Sequence, residues 1–414
     1  MTRAIVSHPS KQGNMYRIPA GAALCGFETV FLTGYYWRGP GAAMRLLRTV
    51  RPVAADRLTG LLARRRLPDL DPACVRRISG PAPELLYRFA GYPAGNWVHD
   101  RLAALWLATH VARGTRGIFH GFQESCASSL AAARRSGLAT ILEITLPPST
   151  NAIVAAEHRR IGIPPEPAEP SPAFLEELGR TDYVVAQSRF SAHSAIAFGV
   201  EPGRVFQVPL GVDTERFRPA EAPAASRPFR ALFTGQMSIR KGVHHLLEAW
   251  ASVARGDDEL LFAGYPREPY VVELVGRSKA RQRYLGFVPH DRLQEIYRQA
   301  DIFVFPSLAE GGVYVIYEAL ACGLPCIVSE HAGSAVRDGV EGFVVPVGDV
   351  ERLADRIRRL RDDEPLRRRM SLAARARAER FSWREFYRRV GLLYSEVLGR
   401  GGACAAGVTD LFER

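Results

Sequence analysis

The stretch DIFVFPSLAEGGVYVIYEALACGLPCIVSE, residues 301–330, decides the fold. It begins with a short apolar run, passes through a glycine-containing loop into a helical pattern, and ends on a second apolar run. Apolar runs separated by helical patterns are typical of parallel strands, because a parallel connection has to cross back along the face of the sheet. The stretch therefore predicts one β–α–β unit of a parallel sheet.

The same alternation runs through the whole chain. Strand-like runs in the first half cover residues 3–8, 27–33, 117–122, 139–145, 182–187 and 204–209. Those in the second half cover residues 230–235, 259–264, 301–306, 324–330 and 342–347. Helical patterns lie between the runs, so the order predicts two doubly wound α/β domains that face each other across a cleft.

Composition places the domain limits. Segment 218–228, RPAEAPAASRP, has the composition of a linker. We therefore predict one Rossmann-like domain over residues 1–209 and a second over 210–380. A C-terminal helix and tail over 381–414 is expected to pack back on the first domain. The Arg-rich segment 38–115 is expected to be a helical insertion beside the first sheet.

Length and composition exclude several classes of protein. The 414 residues are 47% hydrophobic and 24% charged, as in ordinary globular proteins. No run of about 20 residues is free of charge, which argues against a membrane-spanning helix. The first residues, MTRAIVSHPS, are too polar for a signal peptide. The six cysteines form no CxxC pair, so neither a zinc site nor a disulfide framework is indicated. We expect a cytoplasmic protein.

The net charge of +12 is unevenly distributed. Residues 38–101 and residues 351–400 each carry a net charge of +7. Such basic segments suit an anionic partner, which is membrane lipid, nucleic acid or a phosphorylated substrate. The alternative is a set of solvated helix faces, and this interpretation is favoured for residues 351–400.

Two cations follow a predicted strand of the second domain. Arg240 and Lys241 come after the run RALFTG and just before an apolar helical pattern. Lys241 is one of only three lysines in the chain, whereas the other basic residues are arginines. A helix N-terminus carries free N–H groups and a partial positive charge, so two added cations indicate a site for an anion such as a diphosphate.

Two glutamates flank the glycine-containing loop of residues 301–330. Glu310 precedes Gly311 and Gly312, and Glu318 lies in the helical pattern that follows. The glycines would let the backbone approach a ligand closely. The two carboxylates would be about 10 Å apart, given the rise of a helix. This separation suits the hydroxyls of a sugar and of a ribose on either side of a diphosphate.

Three segments together resemble a known family. They are FPSLAEGGVYVIYEALACGLPCIVSEHAGSAVRDGVEGFVVPVGD, VPLGVDTERFRP at 208–219 and LFTGQMSIRKGVHHLLEAW at 232–250. In this order they resemble the family 4 glycosyltransferases with the GT-B fold. The resemblance implies two Rossmann-like domains, and a retaining transfer of a sugar from a nucleotide-sugar donor to an acceptor hydroxyl. We expect a role in the synthesis of a cell-surface polysaccharide or glycolipid.

The resemblance also implies roles for individual residues of the second domain. Glu310 would contact hydroxyls of the donor sugar and act in catalysis, and Glu318 would contact the ribose. Lys241 would bind the diphosphate, and the backbone near Val288 would meet the base. Gln236 stands where the family commonly has an arginine, and we expect Arg240 to supply the missing charge.

The first domain should hold the acceptor. Gly13 and Lys11 in the loop HPSKQGNMYR would approach the donor phosphates across the cleft. His120 and Glu143 are placed at the ends of predicted strands, with side chains toward the cleft. We expect a catalytic role for His120, and an acceptor-side role for Glu143 and His8.

No Asp-x-Asp pair follows a predicted strand, so the sequence calls for neither a metal ion nor another cofactor. The expected partners are a nucleotide sugar and a sugar or lipid-linked acceptor, without nucleic acid. Three alternatives stay open: a nucleotide-sugar epimerase or phosphorylase on the same fold, a nucleic-acid-binding protein, and an inactive relative. Gln236 and Val313, where the family pattern has lost a glycine, motivate the last alternative.

Residues 41–67 combine seven arginines with apolar side chains at helical spacing. Helices over 42–50 and 54–66, with Pro52 as the break, would each gather their leucines on one face. Basic residues around an apolar stripe are typical of a helix that lies in a membrane interface. We therefore expect peripheral contact with an anionic membrane, with packing of the stripe on the first sheet as the alternative.

Overall fold

Two parallel β-sheets, each covered by helices on both faces, make up the protein. The computed structural model describes residues 2–9, 16–37, 44, 48–63, 66–80, 92–220, 227–277, 281–400 and 407–412. Every pairing between strands in these ranges is parallel. The predicted fold class is confirmed, and all of the strand-like runs named above contain strands.

The N-terminal sheet has eight strands in the order β14-β7-β6-β5-β4-β1-β2-β3. Its strands are β1 (Arg3–His8), β2 (Glu28–Thr33), β3 (Val75–Arg77), β4 (Gly117–Phe122), β5 (Ala139–Ile144), β6 (Tyr183–Ala186), β7 (Val205–Gln207) and β14 (Thr409–Asp410). The helices of this domain are α1 (Arg17–Leu24), α2 (Pro52–Ala63), α3 (Tyr92–His110), α4 (Ala127–Arg135), α5 (Thr150–Arg160), α6 (Pro172–Arg180), α7 (Arg189–Ala197) and α14 (Trp383–Arg400).

The C-terminal sheet has six strands in the order β10-β9-β8-β11-β12-β13. Its strands are β8 (Arg230–Thr234), β9 (Glu259–Ala263), β10 (Gln282–Gly286), β11 (Ile302–Phe305), β12 (Cys326–Ser329) and β13 (Gly342–Val345). Its helices are α8 (Val243–Val253), α9 (Pro269–Arg277), α10 (Leu293–Tyr297), α11 (Tyr314–Ala321), α12 (Val350–Asp362) and α13 (Glu364–Glu379). This is the doubly wound order, in which the winding direction reverses between β8 and β11.

The inner strands are apolar along their whole length because helices cover both faces of each sheet. All four residues of β11 are buried, as are those of β6 and β12. Parallel strands buried on both faces are expected to show such continuous apolar runs rather than an alternating pattern. This is why the inner strands of both sheets could be located from hydrophobicity alone.

Three strands were not predicted. They are β3, β10 and β14, all at the edges of the two sheets. Polar or charged side chains interrupt or replace their apolar pattern, and each lies at the edge of its sheet, where only one neighbouring strand pairs with it.

The prediction that segment 38–115 is a helical insertion is wrong in part. Its strand β3 extends the sheet, and α3 is a crossover helix that packs on the sheet through Ala103 and Leu107. Residues 38–43, 45–47, 64–65 and 81–91 of this segment lie outside the described ranges.

Several arginines of the basic segment 351–400 have a structural role. Arg375 donates to the main-chain carbonyls of Thr214, Phe217 and Ala321. Several other arginines of the segment also bind main-chain carbonyls, among them Arg361, Arg367, Arg377 and Arg389. A guanidinium group carries five N–H donors, so it can satisfy several carbonyl groups at once. Other arginines of the segment, among them Arg352, Arg358, Arg368 and Arg384, are exposed, as expected for solvated helix faces.

The chain passes from one core to the other and then returns. Val208 packs in the N-terminal core, whereas Leu210 packs in the C-terminal core. After α13 the chain crosses back, and α14 packs against α1 of the N-terminal domain. The final strand β14 then pairs with β7. Helix α14 and strand β14 therefore belong structurally to the first domain.

The helices that the structure describes include none with the length and apolar character needed to cross a bilayer.

Glycine makes the contact between α1 and α14 possible. A Cβ at Gly391 of α14 would lie 2.5 Å from Sγ and 2.9 Å from Cβ of Cys25. Gly21 of α1 is similarly close to Tyr387 and Val390, at 3.1–3.2 Å. Small residues at the crossing therefore let the two helices approach closely.

Replacing Gly391 by alanine should destabilise the N-terminal domain. The added methyl group forces α1 and α14 apart, and such overpacking costs about 1–3 kcal/mol. The matched control is Gly399→Ala in the same helix, where a Cβ would have no neighbour within 4 Å. Alanine is the better helix former, so this variant should be about 0.5–1 kcal/mol more stable. Thermal unfolding compares the two variants, and equal melting temperatures would contradict the close helix contact.

Candidate functional site

The point where the winding of the C-terminal sheet reverses brings the predicted cations and Glu310 together. Strands β8 and β11 are neighbours, with Ala231 opposite Ile302. Arg240 and Lys241 follow β8, and Glu310 follows β11. The crossover helices of these strands lie on opposite faces of the sheet, which leaves a crevice at the carboxyl ends of the strands.

The carboxylate of Glu310 pairs with both cations. Its Oε2 lies 2.6 Å from Nη1 of Arg240, and its Oε1 lies 3.3 Å from Nζ of Lys241. Ser307 donates a hydrogen bond to Oε1 at 3.3 Å. Arg240 also donates to the carbonyl of Ala309. The two cations are therefore held at fixed positions in a partly desolvated crevice.

Burial lowers the pKa of Lys241, and the positive charge of Arg240 adds to this effect. The Glu310 carboxylate acts in the opposite direction, because it favours the charged ammonium group. The site thus holds three charged side chains in close contact. A nearby anion stabilises the charged form of Lys241.

The turn before α8 requires glycine. Gly242 has φ 68°, in the left-handed region, and a Cβ there would lie 1.9 Å from the carbonyl oxygen of Pro306. Without a side chain, the loop after β8 can cross directly over the end of β11. This crossing places Lys241 over the ring of Phe305, with Nζ 4.8 Å from the ring centroid.

A second polar cluster surrounds Glu318, which lies one turn after the start of α11. Its Oε2 accepts a hydrogen bond from Oη of Tyr297 at 3.0 Å, and its Oε1 lies 2.9 Å from Nε2 of His290. Tyr297 Oη also lies 2.9 Å from Oγ1 of Thr234, at the end of β8. Burial raises the pKa of Tyr297, so the phenol stays protonated. The half-buried Val288 lies in the loop that leads to His290.

Gly311 and Gly312 approach the other domain rather than open space. A Cβ at Gly311 would lie 2.3 Å from the carbonyl oxygen of Thr145, which follows β5. A Cβ at Gly312 would lie 2.9 Å from the side chain of Gln187, which follows β6. The close approach of their backbone to a ligand stays a prediction. These glycines let the two domains meet beside Glu310.

His120 does not face the cleft, and the prediction of a catalytic role for it is wrong. The strand continues for two residues beyond it, and its side chain is fully buried. Its Nδ1 lies 3.1 Å from Oη of Tyr394 on α14, and its Nε2 lies 3.2 Å from Oε2 of Glu143. The imidazole thus contacts the core-packed α14, where a substrate cannot reach it.

Glu143 connects this core to the domain junction. Its Oε1 accepts a hydrogen bond from Gln187 at 2.7 Å, and Gln187 in turn touches Gly312. Burial raises the pKa of Tyr314, and the charge of Glu143 adds to this effect. Because Glu143 itself is buried, the structure assigns it the role of holding Gln187 in place.

His8 is at the carboxyl end of β1. Its ring meets that of Phe122 edge-on, with centroids 4.6 Å apart. Burial lowers its pKa to about 3, so the imidazole is neutral at physiological pH. Gly13 and Lys11 lie outside the described residues, and their expected approach to the phosphates stays a prediction.

A cavity of about 710 Å³ lies beside Arg240, between the two domains. Thr150 and Asn151 of α5 line one side, and Gln236 and Arg267 line the other. Arg267 donates to the side chain of Gln236 at 3.4 Å, so a cation is present next to the position where the family commonly has an arginine. Sequence reasoning did not select Arg267 or Asn151, although both follow ends of strands that point to the cleft.

Sequence reasoning also missed Ser307, Tyr297 and His290. Ser307 lies three residues before Glu310, and a polar residue directly after a buried strand was the available signal. The other two reach the site only through the fold, because α10 and the loop before it come from a separate β–α unit.

Comparison with known proteins agrees with this geometry. Residues 228–363 match the family model described as glycosyl transferases group 1. The C-terminal sheet domain is a group 1 glycosyltransferase domain. The matched residues include Glu310 and Glu318. The resemblance predicted from the three sequence segments is confirmed.

Curated relatives extend the similarity into the first domain. The D-inositol 3-phosphate glycosyltransferase of Streptomyces bingchenggensis (strain BCW-1) is 32% identical over 268 residues, which cover 57% of this chain and 58% of the relative. The amylovoran biosynthesis glycosyltransferase AmsK of Erwinia amylovora is 29% identical over 215 residues, with 49% and 53% covered. The chain thus aligns with less than two thirds of the length of these relatives.

Solved structures show the GT-B fold over nearly the whole chain. Sucrose-phosphate synthase from Thermosynechococcus elongatus has a TM-score of 0.67 at 18% identity, covering 96% of this chain and 100% of that one. Anabaena Alr3699/HepE, in complex with UDP and glucose, has a TM-score of 0.62 at 18% identity and the same coverage. The predicted GT-B architecture is therefore confirmed for this chain.

Proposed function

We propose that the chain transfers a sugar from a nucleoside-diphosphate sugar to an acceptor hydroxyl, with retention at the anomeric carbon. We assign it to the synthesis of a cell-surface polysaccharide or glycolipid. The observation that carries this proposal is the pairing of Glu310 with Arg240 and Lys241 where the winding of the sheet reverses. A relative named for amylovoran biosynthesis supports the choice of pathway. A structural neighbour, Anabaena Alr3699/HepE, was solved in complex with UDP-glucose and supports the choice of donor.

The two cations would bind the donor diphosphate. In the structure they neutralise Glu310, and a diphosphate brings more negative charge into the same crevice. The diphosphate would share the cations with Glu310 and leave that carboxylate able to accept hydrogen bonds from the donor sugar. Cations already held in place stabilise the growing charge of the leaving group without reorganisation.

Glu318 would bind the ribose. Its Oε1 is paired with His290, whose side chain is 58% exposed and can swing into solvent. A ribose hydroxyl would then donate to Oε1, while buried Tyr297 keeps the carboxylate in its orientation through Oε2. Backbone near Val288 is the proposed contact for the base, since it follows β10, two strands from β8, at the same carboxyl edge of the sheet.

Transfer requires one bond to break and one to form. The bond from the anomeric carbon to the diphosphate oxygen breaks, and the acceptor oxygen bonds to the same face of that carbon. The acceptor proton would pass to the departing phosphate oxygen, which gains charge as the bond breaks. This route suits the burial of His120, because it needs no imidazole as general base.

The acceptor would enter the cavity beside Arg240. Both domains line this cavity, and Thr150 and Asn151 offer hydroxyl and amide groups from the N-terminal side. Thr150 Oγ1 is buried without a hydrogen-bond partner among the described residues, which leaves it able to bind an acceptor hydroxyl.

Lys241→Ala and Glu318→Ala should each weaken nucleotide-sugar binding. Loss of one charge-assisted contact costs about 1.5–3 kcal/mol, or roughly 10- to 150-fold in affinity. Isothermal titration with UDP- and GDP-sugars measures the effect, and circular dichroism checks folding. The matched controls are Asp257→Ala and Arg281→Ala, an exposed ion pair at the opposite edge of the same sheet. Wild-type affinity in both site variants would contradict the site assignment.

We also propose that the reaction needs no divalent metal ion, because fixed cations and helix N-termini are available for the diphosphate. Turnover with EDTA should therefore equal turnover with added Mg²⁺, measured as release of the nucleoside diphosphate. Activity that disappears in EDTA and returns with Mg²⁺ or Mn²⁺ would be evidence against this part of the proposal.

Peripheral membrane contact through the start of α2 is a further part of the proposal. Val50 and Val53 are 71% and 75% exposed, next to the basic residues Arg48 and Arg51. Exposed apolar side chains beside arginines suit the interface of an anionic bilayer. The chain is helical over residues 48–50, leaves the helix at Arg51 and begins α2 at Pro52. Leu46, Leu47, Arg64 and Arg65 of the predicted stripe lie outside the described residues.

Flotation with anionic vesicles tests this contact. The wild-type chain should float at low salt and less at high salt, because the attraction is about 1 kcal/mol for each basic residue near the surface. The double variant Val50→Ser and Val53→Ser should float less, and Leu372→Ser, an equally exposed apolar residue of the other domain, should not differ from wild type. Equal flotation with neutral and anionic vesicles would contradict membrane contact.

A further inference from the structure

A cluster of metal-binding side chain types lies at the domain junction, outside the donor site. Glu157 belongs to α5 of the N-terminal domain, and His244 and His245 form the start of α8 in the C-terminal domain. Nε2 of His244 lies 2.6 Å from Oε1 of Glu157, and Nε2 of His245 lies 3.1 Å from the same oxygen. One atom from each of the three side chains can be chosen so that all lie within 4.8 Å of one another.

The arrangement of the two histidines is specific. Consecutive residues of an α-helix point about 100° apart, so their side chains normally diverge. Here the two ring centroids are only 3.9 Å apart, and both Nε2 atoms point to one carboxylate oxygen. Both rings are also buried. The fold thus brings two imidazole nitrogens and a carboxylate oxygen from two domains to one point.

The hydrogen-bonding groups of the protein do not satisfy this cluster. Nδ1 of both histidines is buried with no hydrogen-bond partner among the described residues. A ring that carries its proton on Nε2 to reach Glu157 therefore leaves a buried acceptor unpaired at Nδ1. A ring that carries it on Nδ1 instead presents a bare lone pair at Nε2 to the carboxylate.

A cation already occupies part of this point. Nη2 of Arg160 lies 2.6 Å from Oε1 of Glu157 and 3.1 Å from Nε2 of His245. A guanidinium group only donates hydrogen bonds, so His245 offers it the lone pair of Nε2. The Arg160 side chain is 58% exposed, which lets it leave for solvent.

We propose that Glu157, His244 and His245 bind a divalent metal ion of the zinc class, which displaces the guanidinium group of Arg160. Two imidazole nitrogens and one carboxylate oxygen are a ligand set that zinc accepts, with water in the fourth position. Zinc ligands in a tetrahedron are about 3.3 Å apart. The present separations from the shared oxygen, 2.6 and 3.1 Å, need to open by less than 1 Å.

The bound ion links the two domains. Two of its ligands come from the helix that begins directly after Lys241, and the third comes from the helix that lines the cavity beside Arg240. Metal binding therefore holds α5 against α8. It restricts the movement of the two domains relative to each other near the donor site. None of its three ligands contacts Glu310 or Glu318 through a hydrogen bond or ion pair among the described residues, so the ion is assigned no part in the transfer itself.

Calorimetric titration of the chelator-treated, desalted full-length chain with ZnCl₂ tests the proposal. The wild-type chain should bind one ion, and Co²⁺ should give the absorption of a tetrahedral nitrogen–oxygen site. Replacing both histidines, His244→Gln with His245→Gln, should weaken zinc binding by at least about tenfold. The control is His193→Gln, an exposed histidine on α7, which should bind zinc like the wild-type chain.

Arg160→Ala keeps all three ligands and removes the competing cation. This variant should bind zinc as tightly as the wild-type chain or more tightly, and zinc should raise its melting temperature. The proposal is overturned if the wild-type chain and the double histidine variant bind zinc equally. It is also overturned if Arg160→Ala binds zinc more weakly than the wild-type chain, and this outcome stands even where the double variant fails to fold. None of these readouts depends on transferase activity.

Discussion

The reversal of winding between β8 and β11 is the constraint on which the site depends. Because the helices that follow these two strands lie on opposite faces of the sheet, the loops after the strands separate and leave a crevice. The loop after β8 carries Arg240 and Lys241, and the loop after β11 carries Glu310. A different strand order would leave the same residues in the sequence without bringing their charges together. The ion pairs are thus a consequence of topology as much as of composition.

Glycine extends this constraint to the second domain. Gly311 and Gly312 directly follow Glu310 and touch the main chain after β5 and the side chain of Gln187. The cation cluster of one sheet therefore lies at a set distance from the strand ends of the other. In the N-terminal domain, Gln187 donates a hydrogen bond to the buried Glu143. This contact fixes the side chain that Gly312 meets at the junction. A Cβ atom at either glycine would separate the two domains beside Glu310.

The sequence predicted local features well and contacts between distant segments poorly. Arg240, Lys241, Glu310 and Glu318 could be selected as candidates because each lies in or a few residues from an apolar strand or helix whose position hydrophobicity reveals. His120 was misplaced because the end of its strand had to be known to within two residues, and each residue along a strand changes the face to which a side chain points. The contacts of Gly311 with Thr145 and of Glu157 with His244 join segments more than 80 residues apart, and no local pattern encodes them.

The arginines of the C-terminal segment show how far net charge can mislead. Charge alone indicated an anionic partner or a solvated surface, yet Arg375 satisfies three carbonyl groups at the ends of separate segments. One of these is the carbonyl of Ala321, at the end of α11, so the arginine caps the helix that carries Glu318. A cation at the C-terminus of this helix stabilises it through the helix dipole, while its N-terminus faces the junction with the other domain. Arg375 thus stabilises the helix that positions the Glu318 carboxylate.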